Sequence, residues 1–354
     1  VLEGYLGNLS QKEIASQRDR SLETIKGQSK TILRKTGCGR MSDVVQLCAS
    51  IAFLMRQLPE EPNPPSAETW VTPKCGMSVL ARTKGRKLAW YRVGDGEKVV
   101  LFIHGYLQGP FFTRRFMEAL ARANVTLIAP SRPGFGYTSP SKSRADFDET
   151  VVRDTLALVD HLGLGHVSLC IHQGGSSHGF RIARALGSSM GDMLVLSGGI
   201  PIDEKVHLSH MDPQTRFAAM ATRHAPSIMK MVTSIGLPVY RRRGTKAFLK
   251  AQFSKSPLDL ATLSDPELMR VQAEGLYHAV EQGAGAWVRD GAAAMADWSD
   301  DLDSVDARQI WLQARDETII SAEHVAARMA NRPGVDFQIL PGHATNILHT
   351  AVEE

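Results

Sequence analysis

The 354-residue chain reads as an α/β protein with a helical cap, preceded by a small all-α unit. Three observations predict this. From about residue 80 onward, apolar runs of strand length alternate with amphipathic stretches, the pattern of a parallel sheet with helices on both faces. One such run, Val167-Ser168-Leu169-Cys170-Ile171, passes through His172-Gln173 into the pair Gly174-Gly175 and then a helix, a strand-to-helix elbow. The excess positive charge is also confined to one end. Residues 1–58 hold nine Lys and Arg against five Asp and Glu, while the remainder balances at 32 of each. That asymmetry points to a polyanionic partner for the N-terminal unit.

Composition bounds the rest. Hydrophobic content of 43% and charged content of 22% are those of an ordinary globular protein. Cys38, Cys48, Cys75 and Cys170 are scattered without a C-x-x-C pair, which excludes a disulfide framework and a zinc site; no metal and no cofactor are called for. No apolar run reaches about 18 residues and no signal-peptide pattern is present, so a cytoplasmic protein without a membrane partner is expected. The chain opens at Val1 inside a helical pattern, and residues preceding it are expected.

In the N-terminal unit, residues 1–58, Ser10 and Glu13 frame a capping box for a short helix, Gln11–Gln17. The polar break Arg18-Asp19-Arg20 follows. Ser21 and Thr24 then open a longer helix with Leu22, Ile25, Ile32 and Leu33 on one face and Lys26, Ser29, Lys30 and Arg34 on the other. Two short helices across a tight turn, the second basic, suit helix-turn-helix docking. A solvated face is the ordinary fate of Lys and Arg, but capping, turn, apolar register and charge agree here. Residues 9–47 resemble the DNA-binding domain of LuxR-type transcriptional regulators. The resemblance implies double-stranded DNA with a two-fold operator as partner, Lys26, Gly27 and Lys30 in the major groove, and Thr24 and Lys35 near phosphates. This chain carries Thr36-Gly37 where many members have leucine before the closing glycine, and it places the module N-terminal to the sensor where the family usually has it C-terminal. From Met41 to Leu58 an apolar stripe (Val44, Leu47, Cys48, Ile51, Met55, Leu58) forms either the seam of a homodimer or a face packed on the large domain. The proline-rich spacer 59–73 follows as linker.

The large domain, residues 74–354, begins with strands at Leu80–Arg82 and Leu88–Val93. The buried strand Val99–Ile103 ends in His104-Gly105-Tyr106. A helix near 113–123, a strand at Val125–Ala129, the loop Arg132-Pro133-Gly134-Phe135-Gly136, a helix near 149–162 and the elbow follow. Beyond them lie a helix to Leu186 and a strand at Met193–Leu196. Residues 201–300 are helical and Met-rich (Met211, Met220, Met229, Met231, Met269) and form the cap, and two further strands close the chain. These landmarks, in this order, resemble the α/β-hydrolase superfamily over about 280 residues. The fold class is thus an N-terminal all-α LuxR-type helix-turn-helix domain followed by an α/β-hydrolase fold with a helical cap.

That resemblance implies a nucleophilic serine on the elbow, in the pattern G-x-S-x-G. Read as Cys170-x-His172-x-Gly174, the elbow carries His172 in its place. The acid falls on Asp316, in the turn after Gln309–Gln313, and the histidine position falls on Thr345, with His343 two residues earlier. Ser176 and Ser177 lie inside the following helix. A Ser-His-Asp mechanism needs a nucleophile bonded to an oriented base, so the expectation is a degenerate triad (His172, Asp316, Thr345), no catalytic residues and no enzyme activity. The binding apparatus remains. Backbone N–H groups of Gln173 and Tyr106 converge as an oxyanion hole does. His104, Tyr106, His172, Gln173, Asp316 and Thr345 would contact a small molecule bearing a carbonyl or carboxylate, with His172 otherwise a neutral core histidine. The expected function is a ligand-responsive DNA-binding transcriptional regulator. The alternatives are a DNA-binding protein with residual hydrolysis by a His172/Asp316 dyad, and a constitutive DNA binder whose second domain only dimerises or recruits.

Overall fold

The computed structural model describes residues 1–7, 9–36, 38–46, 48, 75–143, 145–203, 207–208 and 213–352. Among these, eight strands form one sheet in the order β1-β2-β4-β3-β5-β6-β7-β8. They are β1 Cys75–Ala81, β2 Lys87–Val93, β3 Lys98–Ile103, β4 Val125–Pro130, β5 Val167–His172, β6 Met190–Leu196, β7 Gln309–Ala314 and β8 Val335–Leu340. The β1–β2 and β2–β4 pairings are antiparallel and the rest parallel. β1 is longer than the sequence predicts. It is an edge strand with Met77 and Val79 exposed at 44% and 49%, so no alternation of burial marks its first half.

Successive residues of the central strands enter opposite layers, as a period of two requires. Leu101, Ile103, Leu169, Ile171, Val195 and Trp311 pack against Phe147, Leu158, Phe180 and Trp298. Phe102, Cys170, Leu196 and Ala314 face Phe112, Leu120, Ile347 and Leu348. The covering helices α4 (Arg114–Arg122), α5 (Phe147–His161), α6 (Ser176–Leu186), α14 (Ala322–Met329) and α15 (Ile347–Thr350) follow the strands they shield. Each buried aromatic or aliphatic side chain contributes about 1.5–3 kcal/mol by leaving water. β3 and β5 are neighbours although β4 lies between them in sequence, so their C-terminal ends form the topological switch point where open α/β sheets bind ligands.

Between β6 and β7 the chain leaves the sheet as α7 (Pro213–His224), α8 (Pro226–Arg243), α9 (Thr245–Gln252), α10 (Pro257–Thr262), α11 (Pro266–Val280), α12 (Ala284–Ala294) and α13 (Ser299–Asp303), the helical insertion referred to below as the cap. Met211 and the linker 59–73 lie outside the described residues.

The N-terminal unit comprises α1 (Leu2–Leu6), α2 (Gln11–Gln17) and α3 (Leu22–Thr36). The capping box forms: Glu13 N donates to Ser10 Oγ at 3.3 Å and Ser10 N to the Glu13 carboxylate at 2.7 Å. Ile14, Ala15 and Ile25 make its small core. Residues 41–46 are helical, and Val44 and Cys48 pack with Leu2 against Val232 of α8. This part of the stripe therefore lies on the cap. Leu47 and residues 49–58 of the same stripe fall outside the described residues.

Candidate active site

The elbow stands one residue later than the sequence pattern suggests. His172 is the last residue of β5, with extended φ of −122°, whereas Gln173 has φ of +46°, the left-handed conformation rare for a side-chain-bearing residue. The glycines explain the turn. A Cβ on Gly175 would stand 2.6 Å from Ile103 O and 2.7 Å from His104 O, and one on Gly174 would stand 3.3 Å from Tyr106 Cβ. The register is therefore Ile171-x-Gln173-x-Gly175, with isoleucine where the pattern has its first glycine, and the half-buried Gln173 takes the elbow position assigned to His172.

His172 turns inward. It is fully buried, its ring lies under Gly105, and neither ring nitrogen has a hydrogen-bond partner among the described residues. Burial, assisted by nearby His349, lowers its pKa to about 3, so it is neutral at ordinary pH. A His172/Asp316 dyad does not form. Asp316 is exposed, and its backbone N–H donates to His343 O at 3.1 Å.

The next residue brings a carboxylate to this end of the sheet. Glu317 sits in the turn after β7 and is half-buried. Its Oε1 accepts the N–H groups of Thr318 at 2.9 Å and Ile319 at 3.1 Å and the Thr345 hydroxyl at 3.4 Å. Its Oε2 accepts Gln173 Nε2 at 3.5 Å, the long limit of such a bond. Gln173 Nε2 also donates to Thr345 O at 2.6 Å. Desolvation outweighs the donated amides and, with the facing Asp259 carboxylate, pushes the Glu317 pKa up to about 7. Thr345, from the turn after β8, thus meets both Glu317 and Gln173. His343 is directed instead to Thr350 Oγ1, at 2.9 Å.

Tyr106 N lies 3.8 Å from where a Gly174 Cβ would stand, so the backbones at Tyr106 and Gly174 run close together. Arg132 donates to the carbonyls of His104 (2.6 Å) and Gly105 (3.0 Å), fixing the loop that carries Tyr106. Tyr106 stacks on Trp287 with centroids 5.3 Å apart and donates its hydroxyl to Trp287 O at 3.0 Å. The His104 side chain leaves the site for Gly105 O and the rings of Phe135 and His278; burial and Arg132 hold its pKa well below the usual range. Glu317 was the residue sequence reasoning missed. Its signal is the adjacent pair Asp316-Glu317, between which only the turn geometry chooses.

On α3, Thr24, Lys26, Gly27 and Lys30 are exposed; Lys26 pairs with Glu23 at 3.3 Å, and a Cβ on Gly27 would meet nothing within 4 Å. The side chain of Lys35 lies outside the described residues.

Residues 100–353 match the model of the alpha/beta hydrolase family. The chain belongs to that family. A dihydrolipoyllysine-residue acetyltransferase component of an acetoin cleaving system from Pseudomonas putida is 27% identical over 147 residues, 41% of this chain and 38% of the relative. An uncharacterized hydrolase of Saccharomyces cerevisiae is 30% identical over 112 residues, 31% and 38% of the two chains. The chain thus spans little more than a third of the length of these curated relatives. The crystal structure of an epoxide hydrolase from Vigna radiata superposes with a TM-score of 0.57 at 17% identity, covering 79% of this chain and 95% of that one, a likeness of fold. This family membership overturns the expectation of a domain without enzymatic function. The expectation rested on His172 in the nucleophile position and Thr345 in the histidine position, whereas the turn presents Gln173 rather than His172. No helix among the described residues is long and apolar enough to cross a membrane.

Proposed function

We propose that this chain is a DNA-binding regulator whose α/β-hydrolase domain hydrolyses a small carbonyl-bearing molecule, with Glu317 as general base. The observation that carries the hydrolytic part is the convergence of Glu317, Gln173 and Thr345 at the ends of β7, β5 and β8, with Glu317 titrating near 7. A base poised at the operating pH is the most effective proton acceptor. Water attacks the substrate carbonyl and gives its proton to Glu317; the amides of Tyr106 and Gly174 receive the developing oxyanion; the proton then passes to the leaving group. Gln173 and Thr345 orient the carboxylate, and no covalent intermediate is required. The DNA-binding part is supported by the capped α2, the turn at Asp19 and the exposed Thr24, Lys26, Gly27 and Lys30 of α3, residues suited to phosphates and base edges.

The test has two arms. Against a panel of esters and lactones, E317Q is expected to lower kcat/KM by about 100-fold or more while H172A folds and retains most activity; equal turnover by E317Q and wild type removes the base assignment. In fluorescence anisotropy with double-stranded DNA, the pair K26A/K30A, at the positions assigned to the major groove, is expected to weaken binding by about 1–3 kcal/mol per lost base contact and to relax sequence preference. Binding indifferent to both lysines would sink the DNA assignment.

A further inference from the structure

Behind the site stands a buried carboxylate to which the reaction just described gives no part. Asp259, on α10, is 1% exposed and comes from the cap. Its Oδ1 accepts the backbone N–H of Asn346 at 3.1 Å and the Asn346 side-chain amide at 3.0 Å; its Oδ2 accepts the N–H of Thr345 at 3.3 Å and the Ser256 hydroxyl at 2.6 Å. One cap side chain therefore takes both consecutive amides of the turn that carries Thr345. Asn346 is gripped from the other side as well, its Oδ1 accepting Gln108 Nε2 at 3.0 Å, and Gln108 lies two residues beyond Tyr106. A carboxylate bonded by four donors costs far more to disturb than a neutral side chain in the same place. The turn beside Glu317 is fixed by the cap and by the oxyanion-side loop together.

We propose that Asp259 is a positioning residue for the Glu317 site. By locking the Thr345–Asn346 turn from the cap, it holds the Thr345 hydroxyl on Glu317 and the Thr345 carbonyl on the Gln173 amide. This rests on the reading of Glu317 as the base. The charge of Asp259 adds a second effect. Thr345, Gln173 and the amides of Thr318 and Ile319 are the neutral partners of Glu317, and Asp259 is the charged group that faces it from the packed elements, raising its pKa.

The experiment is carboxyl-carbon NMR of the full chain labelled at glutamate, with E317Q assigning the resonance, beside the pH profile of ester hydrolysis. In D259N the Glu317 midpoint is expected to fall from about 7 by about one pH unit, and the acid limb of kcat should move with it. kcat is expected to drop about tenfold or more with KM little changed, since misplacement near the reacting atoms acts on the chemical step. A folded D259N whose Glu317 midpoint stays in place overturns the proposal. N346A is the second variant, serving also if D259N does not fold. It keeps the charge but loosens the turn and with it the Thr345 donor, so the midpoint should hold or rise rather than fall while kcat drops; unchanged kcat there removes the positioning role. If E317Q itself hydrolyses like the wild type, the base assignment fails, and the titration of Glu317 in D259N still decides whether Asp259 acts on it.

Discussion

Gln173 holds two properties that rarely coincide: a left-handed backbone at φ +46°, which costs a residue with a side chain roughly 1–2 kcal/mol, and a side chain bonded to the turns that follow β7 and β8. Conformational strain of this kind persists where the surrounding structure over-determines it, here the Gly174-Gly175 approach to β3. Placing a hydroxyl there and an imidazole at Thr345 would set Ser, His and Glu317 in sequence. The double variant Q173S/T345H is therefore expected to show a burst of about one equivalent of nitrophenol per chain from an activated ester in stopped-flow, the mark of an acyl-enzyme, while Q173S alone shows none. Absence of a burst in the folded double variant would mean that the elbow does not aim residue 173 at the substrate carbonyl. Thr345 and the glycine pair were legible in the sequence because their spacing from a strand end is fixed. The choices between His172 and Gln173, and between Asp316 and Glu317, were not. Each is made between two neighbouring polar residues by a backbone dihedral or a turn, which residue type does not encode.

Among the elements, the loop after β4 is the tie between sheet and cap. The sequence marks it through Arg132-Pro133-Gly134-Phe135-Gly136, but its partner Asp290 lies 158 residues away on α12, beyond the reach of any local pattern. Arg132 and Asp290 are both almost wholly buried, with Arg132 Nε 2.8 Å from Asp290 Oδ1, and the same oxygen lies 2.7 Å from His178 Nε2 on the helix that follows the elbow. Breaking one side of such a pair leaves an uncompensated charge in the core. D290N is expected to cost about 3–5 kcal/mol in urea unfolding, whereas R132M/D290L should recover most of that loss. A D290N loss below about 1 kcal/mol would show that water reaches the pair.

For the molecule as a whole, buried imidazoles set the pH range of stability. His172 and His278 have pKa values lowered to about 3 and His349 to about 4, each chiefly by burial, against about 6.5 in the unfolded chain. The unfolded state binds more protons below pH 6.5, so stability is full above that value and is lost as pH falls, at up to about 1.4 kcal/mol per pH unit for each histidine. Glu317, raised to about 7, acts in the opposite sense, losing its contribution as pH rises from about 4.5 to 7. With His104 shifted in the same direction as these three, the imidazoles outweigh Glu317: urea midpoints should climb from pH 4.5 to 6.5, and H172L should lessen that climb; a flat profile in the wild type would mean the imidazoles are hydrated. At the same scale, Leu2, Val44 and Cys48 share one apolar cluster with Val232. The N-terminal helices and the cap are for that reason not interchangeable cassettes. A chimera that joined residues 1–48 to a different domain would leave the patch open to water, and its failure would show as aggregation. Any working fusion has to carry α8 along with the helices that rest on it.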